Sequence, residues 1–323
     1  MAVAYKYKTR QARNLKHAKR LHKLGKVGWS FVRTVILAGL CFMILYPLIV
    51  KFTSSIMHVD DMFDSSVRFM PKNFTMEQYR IAWEWMNYPR TFLNSLGLTL
   101  TVSILQLASS TLVGYGFGRY NFRGKNLCFA LVLLTLVVPP EMIMIPLFLN
   151  FRFFNLFGLI KEPGINLLGS YWPFILTSMT AMGLKNGLFI YIMTNFFKGM
   201  PDSLEEAAMI DGASSFRTFF QIMLPGAKPA LTIVFLFSFV WQWNDLFYTN
   251  LFIRTGDGFL SLALQNFANY FVSNSPVSSN YPWQYTSLLN NAGMMLFMAP
   301  LLILFLIMQR HFVESIERTG LVG

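Results

Sequence analysis

Two short stretches hold most of the side chains in this sequence that could do chemistry. The first, PDSLEEAAMIDGASSFRTFFQIMLPGAKPA from Pro201 to Ala230, carries four acids and two bases between long apolar runs. Glu205, Glu206 and Asp211 stand beside Ala207 and Ala208, and Gly212 follows. No histidine or cysteine lies among them. The chemistry on offer is therefore recognition: small residues let another surface come close, and carboxylates beside them take charge-assisted hydrogen bonds. The second stretch, Trp241, Gln242, Trp243, Asn244 and Asp245, belongs to an apolar run, and Lys185 and Asn186, with Asn195 beyond them, interrupt another. Aromatic faces beside amides and a carboxylate suit a polyhydroxylated ring, whose C–H faces stack while its hydroxyls need donors and acceptors. The same residues suit two plainer roles, tryptophan as an interface anchor and Asn or Asp as a link between helices, and both readings stand. For Lys185 an ion pair or a cavity is expected in preference to lipid.

Other chemistries lack their residues. No G-x-x-x-x-G-K-[S/T] occurs: Gly124-Lys125 is followed by Asn126, and Gly25-Lys26 by Val27. The chain is not expected to cradle a nucleotide phosphate or to hydrolyse ATP itself. H-E-x-x-H and G-x-S-x-G are absent, and the four histidines (His17, His22, His58 and His311) are scattered. Neither a metal site, a cofactor nor a nucleophile–base pair is expected. Cys41 and Cys128 fall in or beside apolar runs and read as small buried apolar residues, not as a disulfide.

The elements that must carry these residues are membrane spans. The chain is 54% hydrophobic and only 13% charged, against about 25% in a soluble domain. Several apolar stretches reach the roughly 20 residues that cross a hydrocarbon core, and the alternation of a membrane β-barrel is missing. The fold class expected is all-α: a polytopic helical membrane protein of about six spans. They are read as Trp29–Val50, Phe92–Tyr115, Leu127–Phe148, Tyr171–Phe197, Ala230–Phe252 and Leu288–Met308. Pro139–Pro140 should kink or end the third.

Charge sets the expected orientation. Residues 1–26 hold nine Lys/Arg and no acid, directly before the first span. This basic tail, taken as 1–28, is expected to stay in the cytoplasm and to meet membrane lipid, not nucleic acid. No cleaved signal peptide is expected. The 116–126 loop adds Arg119, Arg123 and Lys125, and the 198–229 loop Lys198, Arg217 and Lys228, whereas 253–287 has only Arg254. Both termini and the 201–229 insert are thereby placed on the cytoplasmic side, within one membrane domain, 29–323. The 253–287 loop, containing SNSPVSSNYPWQYTS, is expected to be an external surface loop.

Within the insert, Asp202 with Glu205 and Ser203 with Glu206 have capping-box spacing. Leu204, Ala207 and Ala208 share a face, and Gly212 can end that helix in the left-handed conformation. Ser214 or Ser215 can cap a second helix with an apolar stripe of Phe216, Phe219, Phe220, Met223 and Leu224. Physics alone allows either a docking knob or an ordinary interfacial hairpin.

The insert also resembles the EAA loop of ABC-importer permeases. Glu206-Ala207-Ala208, then Gly212, Ile222 and Leu224-Pro225 fall at that motif's spacing without gap or substitution. FLNSLGLTLTVSILQ, GYGFGRYNFRGKN, IDGASSF, WNDLF and the ending LIMQRHFVESIERTGLVG are similar to the carbohydrate-type permeases, the group containing the second membrane subunit of the maltose importer. Ser315 and Val322 depart from that group's usual glycine and lysine. The resemblance covers roughly 92–323, more weakly 29–91, and not the basic tail. It implies a type I permease fold with a cytoplasmic coupling helix, on which Glu205, Glu206, Ala207, Ala208, Asp211 and Gly212 meet an ATPase subunit. It further implies three partners: a second permease subunit, an ATP-binding-cassette ATPase dimer and an external solute-binding protein. The expected function is carbohydrate import in a bacterial cell membrane, with Lys185, Asn186 and Trp241–Asp245 lining the path. The alternative is a self-sufficient secondary transporter or channel, and the substrate within the carbohydrates stays open.

Overall fold

The computed structural model describes residues 2–67, 70–156, 158–253, 258–275 and 284–320. The chain divides into two compact units, Met1–Thr75 and Met76–Gly323.

The first unit is one long helix and a clasp. Helix α1 runs Ala2–Ser55, and its Gly28–Ser55 part is long and apolar enough to cross a membrane. Apolar side chains there are exposed around the whole helix, as suits a lipid-facing span. After it, Met57 bridges Phe74. Asp61 ties the clasp by accepting from the Asn73 backbone N–H at 2.8 Å and from Asn73 Nδ2 at 2.9 Å. Asp64 accepts from Ser66 and Lys72.

The second unit begins with α2 (Glu77–Trp85) and is organised around α3 (Tyr88–Arg119). The pattern of α3 is inverted relative to a soluble helix. Leu93, Leu100, Ile104 and Leu112 are exposed, while Ser95, Thr99, Ser103, Gln106, Ser109, Ser110 and Gly114 are buried. Between helices in lipid there is little hydrophobic drive, so close approach and hydrogen bonds do the packing, and small polar residues permit both. After α3 come α4 (Lys125–Val137), α5 (Pro140–Arg152), α6 (Trp172–Met179) and α7 (Asn186–Gly199), and α3 packs chiefly on α7, on the later Lys228–Trp243 helix and on α6. Against α7 the approach is closest: a Cβ on Gly114 would lie 2.5 Å from Met193 Cβ, and one on Gly118 2.8 Å from Phe197 Cβ.

Among the described residues, three helices are single apolar spans by length and composition, and two further helix pairs would be spans broken by a bend. The third span bends by 103° between α4 and α5 at Pro139–Pro140, where the sequence placed a kink. Val138 is extended, as a residue before proline prefers, and Pro140 starts the new helix where no N–H is needed. The stretch read as one fourth span, Tyr171–Phe197, is two short helices, α6 and α7. They are separated by Thr180–Lys185, in which Ala181 and Lys185 have positive φ. Polar side chains of α3 make this break tolerable in an apolar setting. Gln106 Nε2 donates to Leu184 O at 3.2 Å, and Ser109 Oγ donates to Ser178 O at 2.6 Å.

The insert forms α8 (Ser203–Ile210), then α9 (Ser215–Thr218), a π-helical turn at Phe219–Met223 and α10 (Leu224–Gly226). A 75° bend leads into α11 (Lys228–Trp243), which α12 (Phe247–Ile253) follows after a short break. The last helices are α13 (Leu260–Asn274) and α14 (Tyr285–Gly320).

Helix α13 corrects the reading of 253–287 as an external surface loop. Leu260, Ala263, Phe267 and Phe271 recur at helical spacing and are buried, while Pro276–Trp283 lies outside the described residues. The cysteines also depart from expectation. Both are exposed on the chain's surface, because their helices turn apolar faces outward.

Candidate functional site

The insert folds as its turn residues dictate, with one exception. Gly212 has φ +80°, and the Ala213 N–H reaches back to Ala208 O at 2.9 Å to close the end of α8. Ser214 caps α9 by accepting from the Arg217 N–H. Neither capping box forms: Asp202 is already helical and makes no side-chain cap bond. Asp202 and Glu205, the carboxylates of the first box, pair with Arg119 instead, while Glu206 stays exposed. Of the expected stripe, Phe219 and Met223 are buried, whereas Phe216 and Phe220 are exposed and stack on each other.

The six residues placed on the coupling helix divide between two faces. Glu206, Ala207, Asp211 and Gly212 are exposed, together with Leu204, Met209 and Ile210. Ala208 is buried and Glu205 turns inward, its Oε2 2.7 Å from Arg119 Nε. The outer face of α8 is thus small and apolar with Glu206 upon it and Asp211 at its end, and its inner face is an anchor.

The second group does not assemble as one lining. Trp243 is core: its Nε1 donates to Phe297 O at 3.2 Å and its ring stacks on Phe239. Trp241 stacks on Phe189 and Phe237. Asn244 is exposed and bonds back to Val240 O, and Asp245 opens α12 by accepting from Tyr248 N, Thr249 N and Thr249 Oγ1. Lys185 is exposed beside the α6–α7 break, with no ion pair among the described residues. Asn186 is buried; its Nδ2 faces Ser109 Oγ at 3.4 Å and its Oδ1 has no partner among the described residues.

Only Gln242 of the Trp241–Asp245 stretch lines the cavity beside the interrupted helices. That cavity, about 310 Å³, opens where two helices are interrupted, at Thr180–Leu184 and between α11 and α12. Phe151, Phe174, Tyr248 and Phe252 supply aromatic walls, and Gln106, Asn150 and Gln242 supply amides. Gln242 Nε2 is buried without a hydrogen-bond partner among the described residues, whereas Gln106 is engaged by Ser238 and Leu184. An aromatic cleft with a free amide donor can hold an apolar ring face and donate a hydrogen bond to one hydroxyl oxygen. Gln106 and Asn150 went unread as site residues in the sequence, and Arg119 was read only as a charge of the 116–126 loop. The signal was available, since each is a strongly polar side chain inside or ending an apolar run. No group of three or more His, Cys, Asp or Glu side chains suited to a metal occurs among the described residues.

Comparison with known proteins places this geometry. The family described as "Binding-protein-dependent transport system inner membrane component" matches residues 110–318. The chain is 27% identical to the arabinooligosaccharides transport system permease protein AraQ of Halalkalibacterium halodurans, over 91% of this chain and 97% of that one. It is 27% identical to the galactooligosaccharides transport system permease protein GanQ of Bacillus subtilis, over 90% and 94%. A crystal structure of a bacterial ABC transporter involved in the import of the acidic polysaccharide alginate shares the fold, with TM-score 0.68, 22% identity, and coverage of 88% of this chain and 96% of that one. With that family match spanning more than half of the chain, the protein belongs to the inner membrane components of binding-protein-dependent transport systems.

Proposed function

We propose that this chain is a permease subunit of a bacterial ATP-driven importer for a carbohydrate, and that α8 docks on a separate ATP-hydrolysing subunit. The observation that carries the reading is the outer face of α8. Leu204, Ala207, Met209 and Ile210 are exposed around Glu206, while the opposite face is tied down. A short helix that buries its anchor and presents small and apolar residues suits a cleft in a partner. A second permease subunit, an ATPase dimer and an external solute-binding protein complete the assembly, with the α8 side and both chain termini cytoplasmic. Oligosaccharide permeases among the relatives support the substrate class. The chain does no covalent chemistry. Closure of the ATPase dimer moves α8, and the spans alternate access around the cavity at the broken helices. Gln242, Asn150 and the aromatic walls hold one ring of the passing saccharide there, and Lys185 and Asn186 flank it. Glu206→Lys or Ala207→Arg should abolish uptake while the chain stays in the membrane. Wild-type uptake by both variants in a verified complex would overturn the docking role.

The two interrupted helices beside one cavity also fit a self-sufficient secondary transporter, whose sites are built that way. Uptake by the purified chain alone, driven by an ion gradient without ATP, would favour that reading.

A further inference from the structure

Arg119 closes the last turn of α3, and its side chain is only 6% exposed. Its Nε donates to Glu205 Oε2 at 2.7 Å, and its Nη1 lies 2.9 Å from Asp202 Oδ1. The same Nη1 donates to the carbonyls of Phe197 at 3.3 Å and Met200 at 3.0 Å, at the end of α7. Tyr115, one turn back on α3, donates its hydroxyl to Glu205 Oε1 at 2.7 Å. Both oxygens of Glu205 are therefore held by α3, and one guanidinium joins α3, α7 and α8.

We infer that Arg119 is a positioning residue for coupling: it is the pin through which a displacement of α8 is passed to α3 and α7. The inference rests on the docking role proposed for α8. Three features support it. A planar guanidinium with bonds fixed in several directions transmits translation and rotation together, which a lysine ammonium on a flexible stem does not. The two helices it pins cannot shear freely, because Gly114 and Gly118 set the α3 and α7 backbones in direct contact. The far end of this rigid pair is the cavity wall, since Gln106 stands thirteen residues up α3 from Arg119, about 20 Å at 1.5 Å per residue. Movement at α8 thereby reaches the interrupted helices without needing a second route.

The test uses the complete complex with its ATPase and binding protein in proteoliposomes, and reads sugar taken up per ATP hydrolysed. Arg119→Lys and Glu205→Gln keep size and polarity, so the complex should assemble, and uptake per ATP should fall at least threefold. Glu205→Arg, which sets two cations against each other, should lower it more than tenfold. A purely structural role would lower the amount of assembled complex and leave uptake per ATP unchanged in the complex that does assemble. Wild-type uptake per ATP in both conservative variants overturns the pin. Failure of the docking reading is separable: there Glu206→Lys and Ala207→Arg would also leave uptake per ATP unchanged.

Discussion

Replacing Gly114 by alanine should destabilise the chain, and replacing Gly116, two residues along the same helix, should not. An added Cβ at 114 would lie 2.5 Å from Met193 Cβ and 3.1 Å from the Thr194 backbone nitrogen. Carbon atoms rest about 3.5–4.0 Å apart, so α3 and α7 must separate by roughly 1 Å at this level. Met193 Cβ is fixed to its backbone and cannot swing aside. A gap of that size forfeits about a quarter to a half of each affected dispersion contact, and overpacking costs about 1–3 kcal/mol. The gain in helix propensity from Gly to Ala, at most about 1 kcal/mol, offsets only part of this. At Gly116 nothing lies within 4 Å of the added Cβ, so only the propensity gain remains. The two variants should differ by about 1–3 kcal/mol in reversible unfolding in detergent micelles, followed by tryptophan fluorescence. Equal unfolding midpoints for Gly114→Ala and Gly116→Ala would refute the close-approach account of this helix pair.

Gly212→Ala should strain the turn after α8 by about 1–2 kcal/mol, because an L side chain disfavours its φ of +80°. Limited proteolysis of the α8–α9 turn should speed up, and Gly212→Asn should recover part of the protection. Gln242→Leu removes the unpartnered amide from the cavity; sub-saturating sugar uptake should fall several-fold with little change in the amount of folded protein. The clasp after α1 should be acid-sensitive. The Asn73 backbone N–H holds the Asp61 carboxyl below its usual range, and Lys72, with Ser66, does the same for Asp64. Depressed folded values mean that their stabilising contribution is complete above about pH 4 and is lost as pH falls through them. Exchange of the Asn73 amide, corrected for its intrinsic rate, should accelerate below the ordinary carboxylate range, and unchanged protection down to pH 2 would contradict this.

Length and hydropathy made the spans legible, because a bilayer demands about twenty apolar residues whatever they pack against. The break at Pro139–Pro140 was legible because proline acts locally. The break at Thr180–Lys185 was not, because what permits it lies 78 and 69 residues away: Gln106 and Ser109 satisfy the freed carbonyls of Leu184 and Ser178 across the helix interface. Gly212 was legible from backbone preference alone, and of the two candidate caps, Ser214 and Ser215, the structure uses Ser214. Glu205 was not separated from Glu206, since adjacent carboxylates on a helix point about 100° apart and only the position of Arg119 decides which one turns inward. The aromatic and amide cluster at 241–245 looked continuous in sequence. At about 100° per residue a helix scatters five neighbours around its axis, and Gln242 alone meets the cavity. Helix α13 was hidden by the polar, proline-containing segment that follows it.

The central claim is that α8 links this membrane chain to ATP hydrolysis on another subunit. The most direct measurement is to tag the chain in its own host, extract it in mild detergent, identify what co-purifies, and assay uptake after reconstitution with and without ATP. The account predicts an ATPase subunit and a second permease chain in stable association, both uptake and ATPase association lost with Ala207→Arg, and no uptake without ATP. A chain that purifies alone and still carries sugar into vesicles on an ion gradient would contradict it.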